Sequence, residues 1–198
     1  MGVDQVKAES GKRKAGNRRA VFLDRDGVIN QSVIRDGLPY PPKGLEDFEI
    51  LPGVPEACQR LKQAGFLLIV ATNQPDVGRG TTPMALVEAM HAKMMKAVPA
   101  LDRIEVCYHP GKGLSDCDCR KPKPGMLLRA AKALGIDLHQ SWMVGDRWRD
   151  IDCGQAAGCR TIFVEGGYAE ALKKIPDFRA KNLTEAADII LKQPAERV

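Results

Sequence analysis

No apolar run in this 198-residue chain approaches the roughly 18 residues that a membrane-spanning helix needs, although hydrophobic residues make up 44% of it. Residues 1–19 carry charge but lack the apolar stretch of a secretory signal, so a cytoplasmic location is expected and a membrane partner is not. No internal repeat is visible, so each segment has to be read by itself. Excess charge is also scarce outside one short segment. Residues 1–19 hold six basic side chains (Lys7, Lys12, Arg13, Lys14, Arg18, Arg19) against Asp4 and Glu9, which takes +4 of the net +5 and leaves about +1 for the rest. The expectation is a solvated basic tail over 1–19 and one domain over 20–198, with no nucleic-acid partner and a monomeric state. Without an export signal, the six cysteines read as reduced thiols or metal ligands rather than as disulfides.

The chain alternates apolar runs with helical stripes. Ala20 to Leu23 is an apolar run that stops at acidic and glycine residues, as a buried parallel strand does. Residues 31–52 contain Pro39, Pro41, Pro42, Gly44 and Pro52 and read as an extended flap. Pro55 opens a helix whose Val54, Ala57, Cys58, Leu61 and Ala64 share one side, and Gly65 ends it. A strand is expected over 66–71, then a helix from Pro83 to about Val98 with Leu86, Ala89, Met90, Met94 and Ala97 on one side. Further strands are expected over 104–108, 142–144 and 161–164, with helices over 124–134 and 148–157. This rhythm predicts an α/β fold, a doubly wound parallel sheet with helices on both faces. Ligand sites in such sheets lie beyond the carboxyl ends of the strands, so the loops starting at Asp24, Thr72, His109 and Gly145 can converge.

Asp24 and Asp26, two apart at a strand end, can face one pocket, and Gly27 permits the turn that follows. Carboxylates that close repel unless a divalent cation or a proton neutralises one. Asp24 is then a metal-ligating nucleophile toward phosphorus, and Asp26, kept partly protonated, a general acid and base. Taken alone, Asp-x-Asp-Gly reads more readily as a turn in which the acids cap backbone amides. Asp146 follows another apolar strand and can complete an oxygen shell for Mg²⁺, while Asp150 reads either as support for that shell or as a helix-start residue. Thr72 can hydrogen-bond a phosphoryl oxygen, and Arg120-Lys121 supplies positive charge that would offset the charge on equatorial oxygens.

Cys107-x-His109 and Cys117-x-Cys119 supply three thiolates and one imidazole, a set that suits a closed, structural Zn²⁺ site; the alternative is a redox-sensitive loop. Such a zinc-stabilised loop would hold Arg120 and Lys121 in place. Cys58, Cys153 and Cys159 read as core thiols, and His91 and His139 as surface residues without partners.

Four elements occur at strand ends in the order Asp-x-Asp-Gly, Thr, Lys, Gly-Asp, which resembles the haloacid dehalogenase-like (HAD) phosphatases over residues 20 to 165. The resemblance implies a Rossmann-like core and Mg²⁺-dependent phosphatase activity. It implies Asp24 as nucleophile, Asp26 as acid and base, Thr72 and Lys121 as phosphoryl stabilisers, and Asp24, the Asp26 carbonyl and Asp146 as magnesium ligands. The zinc loop followed by Cys119-Arg120-Lys121-Pro122, together with Asn30 and Arg79, is similar to the heptose bisphosphate phosphatases, with the histidinol-phosphate phosphatases as neighbours. That likeness implies a sugar phosphate substrate of nucleotide-heptose and lipopolysaccharide synthesis, contacted by Asn73, Arg79, Arg120 and Arg147. Gln74-Pro75-Asp76-Val77 departs from the branch, where a Ser-Gly segment is expected. Short intervals between the motifs leave little or no room for a cap domain. A non-enzymatic reading, a zinc-containing binding module for a polyanion or a protein, requires that Asp24→Asn change nothing.

Overall fold

The computed structural model describes residues 18–111, 113, 117–168 and 171–193. The expected tail therefore lies outside the described residues as far as residue 17. Its last two residues, Arg18 and Arg19, are bonded into the fold. Arg18 bridges to Ile136, and Arg19 accepts from the Leu67 amide and stacks its guanidinium 4.4 Å from the Phe66 ring centre.

In chain order the elements are β1 (Ala20–Leu23), β2 (Val33–Arg35), β3 (Leu38–Tyr40), α1 (Val54–Gln63), β4 (Leu67–Asn73), α2 (Pro75–Gly78), α3 (Met84–Ala97), β5 (Arg103–Cys107), α4 (Gly125–Leu134), β6 (Trp142–Gly145), α5 (Trp148–Ala157), β7 (Arg160–Val164), β8 (Phe178–Ala180) and α6 (Leu183–Lys192). Six of the strands form one all-parallel sheet in the order β5-β4-β1-β6-β7-β8. β1 is buried throughout because it lies between β4 and β6 and is covered on both faces. Its alternate residues feed two cores: Val21 and Leu23 pack with Leu61, Met94 and Ile190, whereas Ala20 and Phe22 pack with Met126, Leu127 and Cys153. A period of two in a strand thus sends side chains to helices on opposite faces, which is why the run has no polar alternation. α1 and α6 pack together on one side, α4 and α5 on the other. Among the described residues no helix is long and apolar enough to cross a membrane.

The expected flap holds an exposed hairpin of β2 and β3, closed by Asp36 and Gly37 at φ 51° and 71°. Two positive φ values at consecutive positions give the turn whose twist matches antiparallel strands, and Asp-Gly is its usual pair. α3 departs from expectation: its buried stripe is Val87, Met90, His91 and Met94, while Ala97 is exposed. β8 and α6 were not expected; the Asn182 side chain caps α6 by accepting from the Glu185 amide at 3.0 Å. Asn at that position, three residues before Glu, is a helix-start signal present in the sequence.

Candidate active site

The strand order reverses at β1, so a crevice opens beyond the carboxyl ends of β1, β4 and β6. Asp24 follows β1, Thr72 lies near the end of β4, and Asp146 follows β6. Lys121 enters from the segment before α4, only 2% exposed, with Nζ 2.8 Å from Asp24 Oδ1 and 2.6 Å from Asp150 Oδ1. Asp24 Oδ1 also accepts from the Arg25 amide at 2.8 Å. Asp150 is a helix-start residue, its Oδ2 accepting from the Arg147 amide at 2.9 Å at the start of α5, while its Oδ1 pairs with Lys121.

Asp24, Asp146 and Asp150 place carboxylate oxygens within 4.8 Å of one another. Asp146 Oδ1 is buried without a hydrogen-bond partner, an orphan that a hard cation would satisfy. Burial pushes the Asp24 carboxyl up to about 6, Lys121 pulls the other way, and Asp150 and Asp26 add to the rise. Burial, then Asp24 and Asp150, lift Asp146 well above the usual carboxylate range. Lys121 is raised despite its burial because Asp150 and Asp24 flank its ammonium. Three buried acids crowded around one lysine resist ionising together, and a divalent ion would relieve that repulsion. Gly27, at φ 89°, is built tightly against it: a Cβ there would stand 2.0 Å from Asp146 Oδ2. Gly27→Ala is expected to displace Asp146 and weaken divalent-cation affinity at least about tenfold, as read by calorimetric titration with Mg²⁺. Unchanged affinity would mean that Asp146 is not a ligand.

Asp26 corrects an expectation. Its carboxylate accepts from Arg25 Nη2 at 2.9 Å, Asn30 Nδ2 at 3.0 Å and Gln74 Nε2 at 2.9 Å. Burial alone would raise this acid, but the Arg25 guanidinium and the Asn30 and Gln74 bonds outweigh it and hold Asp26 below its ordinary value, which opposes the partial protonation expected of it. Arg25 itself is completely buried, beside His91 Nε2 at 3.3 Å and the Phe48 ring at 5.6 Å. His91, expected at the surface, is 4% exposed; burial first, and then Arg25, lower it to about 4, so the neutral ring can accept from the guanidinium. This pairing explains why the buried stripe of α3 includes position 91. His139 is exposed as expected.

A cavity of about 380 Å³ opens on Asp24, Asp26, Thr72 and Asp146, with the hairpin contributing Pro39 and Tyr40 to its wall. Arg79, Arg120 and Arg147, expected at a substrate, all line it, and so does Arg149, which sequence reading left without a role. Thr72, 1% exposed, receives Gln74 Nε2 at 2.9 Å. Asn73 lines the cavity too, but both polar ends of its side chain are engaged: Nδ2 donates to the Lys121 carbonyl and Oδ1 accepts from the Lys121 amide, each at 3.1 Å. Its first role is to anchor the backbone that carries Lys121.

Behind that segment, Cys107, His109, Cys117 and Cys119 bring their ligand atoms within 4.8 Å of one another. Cys107 Sγ lies 3.5 Å from His109 Nδ1 and 3.9 Å from Cys117 Sγ, in the range of tetrahedron edges about one metal, and 3.2 Å from Cys119 Sγ, too far for a covalent bond. Cys58, Cys153 and Cys159 are buried free thiols, and burial pushes Cys58 and Cys153 up to about 12.

Residues 118–186 match the family described as HAD-hydrolase-like. The chain is 41% identical over 184 residues to the D-glycero-beta-D-manno-heptose-1,7-bisphosphate 7-phosphatase of Pasteurella multocida, covering 87% of this chain and 97% of that protein. It is 40% identical over 186 residues to the protein of the same name from Escherichia coli K12, covering 88% and 94%. The crystal structure of D,D-heptose 1,7-bisphosphate phosphatase from B. bronchiseptica, complexed with magnesium and phosphate, superposes with a TM-score of 0.72 at 32% identity, covering 88% and 98% of the two chains. Likeness of this extent, on a parallel sheet whose strand ends gather three acids and a lysine, makes the chain a phosphatase that belongs to the heptose-1,7-bisphosphate 7-phosphatase family of HAD-like hydrolases.

Proposed function

We propose that residues 20–198 act as one monomeric cytoplasmic domain that removes the C7 phosphate of D-glycero-D-manno-heptose 1,7-bisphosphate, a step toward lipopolysaccharide sugars. The observation that carries the reading is the buried contact of Lys121 with Asp24 beside the unpartnered Asp146 oxygen, at the mouth of a cavity with arginines in its wall.

An Asp24 oxygen attacks phosphorus while the bond to the sugar oxygen breaks, and Asp26 gives that oxygen its proton. Asp26, now ionised, takes a proton from a water whose oxygen attacks phosphorus; the aspartyl bond breaks, freeing inorganic phosphate and the Asp24 carboxylate. The Lys121 ammonium and Thr72 hydroxyl offset charge on the equatorial oxygens. A Mg²⁺ held by the carboxylates of Asp24 and Asp146 and by the Asp26 carbonyl adds to that neutralisation when bound. Because five donor contacts from Arg25, Asn30 and Gln74 converge on Asp26, its proton can be loaded only when Arg25 relaxes part of its grip. Arg79, Arg120 and Arg147 face the substrate, with Asn73 steadying Lys121 beside them.

A panel comparing heptose bisphosphate with histidinol phosphate in Mg²⁺ is expected to favour the heptose by about two orders of magnitude in kcat/KM. A preference for histidinol phosphate overturns the substrate assignment.

We assign Cys107, His109, Cys117 and Cys119 to one structural Zn²⁺. Four protein ligands leave no open position, so the ion takes no part in the reaction, but Arg120 and Lys121 follow directly on Cys119. Metal analysis is expected to find about one zinc per chain, and stripping it to lower both the melting temperature and kcat. Purified active protein without any bound transition metal overturns the assignment.

A further inference from the structure

The cavity wall holds more positive charge than one phosphoryl group requires. Arg79 already has a carboxylate, Asp76, at 3.0 Å. Arg120 and Arg149 have none among the described residues. Arg120 makes one long bond, from Nη1 to the His109 carbonyl at 3.5 Å. Arg149 stands 5.8 Å from the centre of the Trp148 ring, and its Nε is buried without a hydrogen-bond partner among the described residues. The two guanidiniums are brought together by their chain neighbours: Arg120 precedes Lys121, Arg149 precedes Asp150, and Lys121 pairs with Asp150 at 2.6 Å. They share one space, since both side chains line the same cavity. Two like charges facing one partly enclosed space cost free energy unless an anion lies between them. A guanidinium fork fits phosphate oxygens in particular.

Lys121, Thr72 and the acids define where the transferred phosphoryl group lies. We propose that Arg149 and Arg120 form a second anion subsite in the same cavity, which takes the phosphate of a bisphosphate substrate that is not transferred, and that Arg149 is a specificity-determining residue. The inference rests on the reading of the substrate as a sugar bisphosphate and says which side chains recognise its second charge. Arg120 is tied to the metal loop and Arg149 to α5, so the subsite spans two independently anchored elements.

The test measures kcat/KM for heptose 1,7-bisphosphate, fructose 1,6-bisphosphate and p-nitrophenyl phosphate with wild type, Arg149→Ala and Arg149→Lys. Losing a charge-assisted contact to phosphate is worth about 10- to 100-fold, so Arg149→Ala should lower the ratio of bisphosphate to monophosphate turnover by that factor, mainly through KM. Arg149→Lys should restore part of it, because a point charge replaces the fork. An unchanged ratio, or an equal loss on all three substrates, overturns the subsite. Melting curves identify a variant that has merely lost its fold, and in that event the Arg149→Lys ratio decides. Failure of the heptose reading looks different: the wild type then prefers fructose bisphosphate or shows no preference for heptose, while Arg149→Ala still penalises whichever bisphosphate is turned over.

Discussion

Asp24→Asn is expected to lower phosphate release by at least about four orders of magnitude while the protein stays folded. The amide keeps the shape of the carboxylate, and its oxygen can still accept from the Arg25 amide and Lys121, as Asp24 Oδ1 does at 2.8 Å to each. It cannot form the aspartyl bond. The substitution also removes one of three crowded acids, which gives a second readout. Asp24 ordinarily titrates at 3.8 and is lifted to about 6 by burial, so in chelator its own contribution to stability is fullest below 3.8 and is lost as pH rises from there through about 6. Asp24→Asn should flatten that decline and melt no lower than wild type at pH 8 in chelator, with Asp146 retaining part of the slope. Substantial residual turnover would rule Asp24 out as nucleophile. A lower melting temperature at pH 8 would refute the crowding.

Lys121→Met should be nearly as damaging to turnover and, unlike Asp24→Asn, damaging to the fold. The ammonium is 1% exposed and touches two acids, one of which, Asp150, is fully buried. Removing one member of a buried ion pair leaves uncompensated charge and typically costs about 3–5 kcal/mol. Urea unfolding at pH 8 without metal should show a loss of that order, shrinking at pH 5, where Asp24 takes up its proton. Mg²⁺ should return part of the stability but not the turnover, because a cation can neutralise acids without contacting an equatorial oxygen as Lys121 does. If Lys121→Met unfolds at the wild-type urea midpoint at pH 8, the ion pairs carry no net stability.

The strand-end acids were legible because each follows a wholly apolar run: Asp24 after β1 and Asp146 after β6. A carboxylate there cannot belong to either core, which leaves the crevice. The convergence of Cys107, His109, Cys117 and Cys119 was legible for a similar reason, since paired Cys and His residues at short spacing have few other uses. Arg25 was not legible. A charged residue in a tight loop reads as solvated, and only the fold shows it sealed between Asp26, His91 and Phe48. His91 could not be placed inward without it, nor the ionised state of Asp26. Arg149 was missed because its significance lies in lining the cavity without a carboxylate partner among the described residues, which spacing cannot reveal. β8 and α6 went unread although Asn182 and Glu185 mark the start of the helix, because β8 is only three residues long and follows a stretch without an apolar run.

The register of β1 sets a timetable for synthesis. Val21 pairs with Leu68 on one side but with Trp142 on the other, so the second edge of the central strand waits for a partner about 120 residues downstream. At roughly 5 to 20 residues per second, that interval lasts about 6 to 24 s on a ribosome. Until β6 arrives, the nascent chain presents an unpaired apolar strand edge, the kind of surface on which chains aggregate. Asp146 arrives with the same strand, so the phosphatase site and the protection of that edge are completed together. A product terminated before Trp142 is therefore both inactive and a substrate for chaperones.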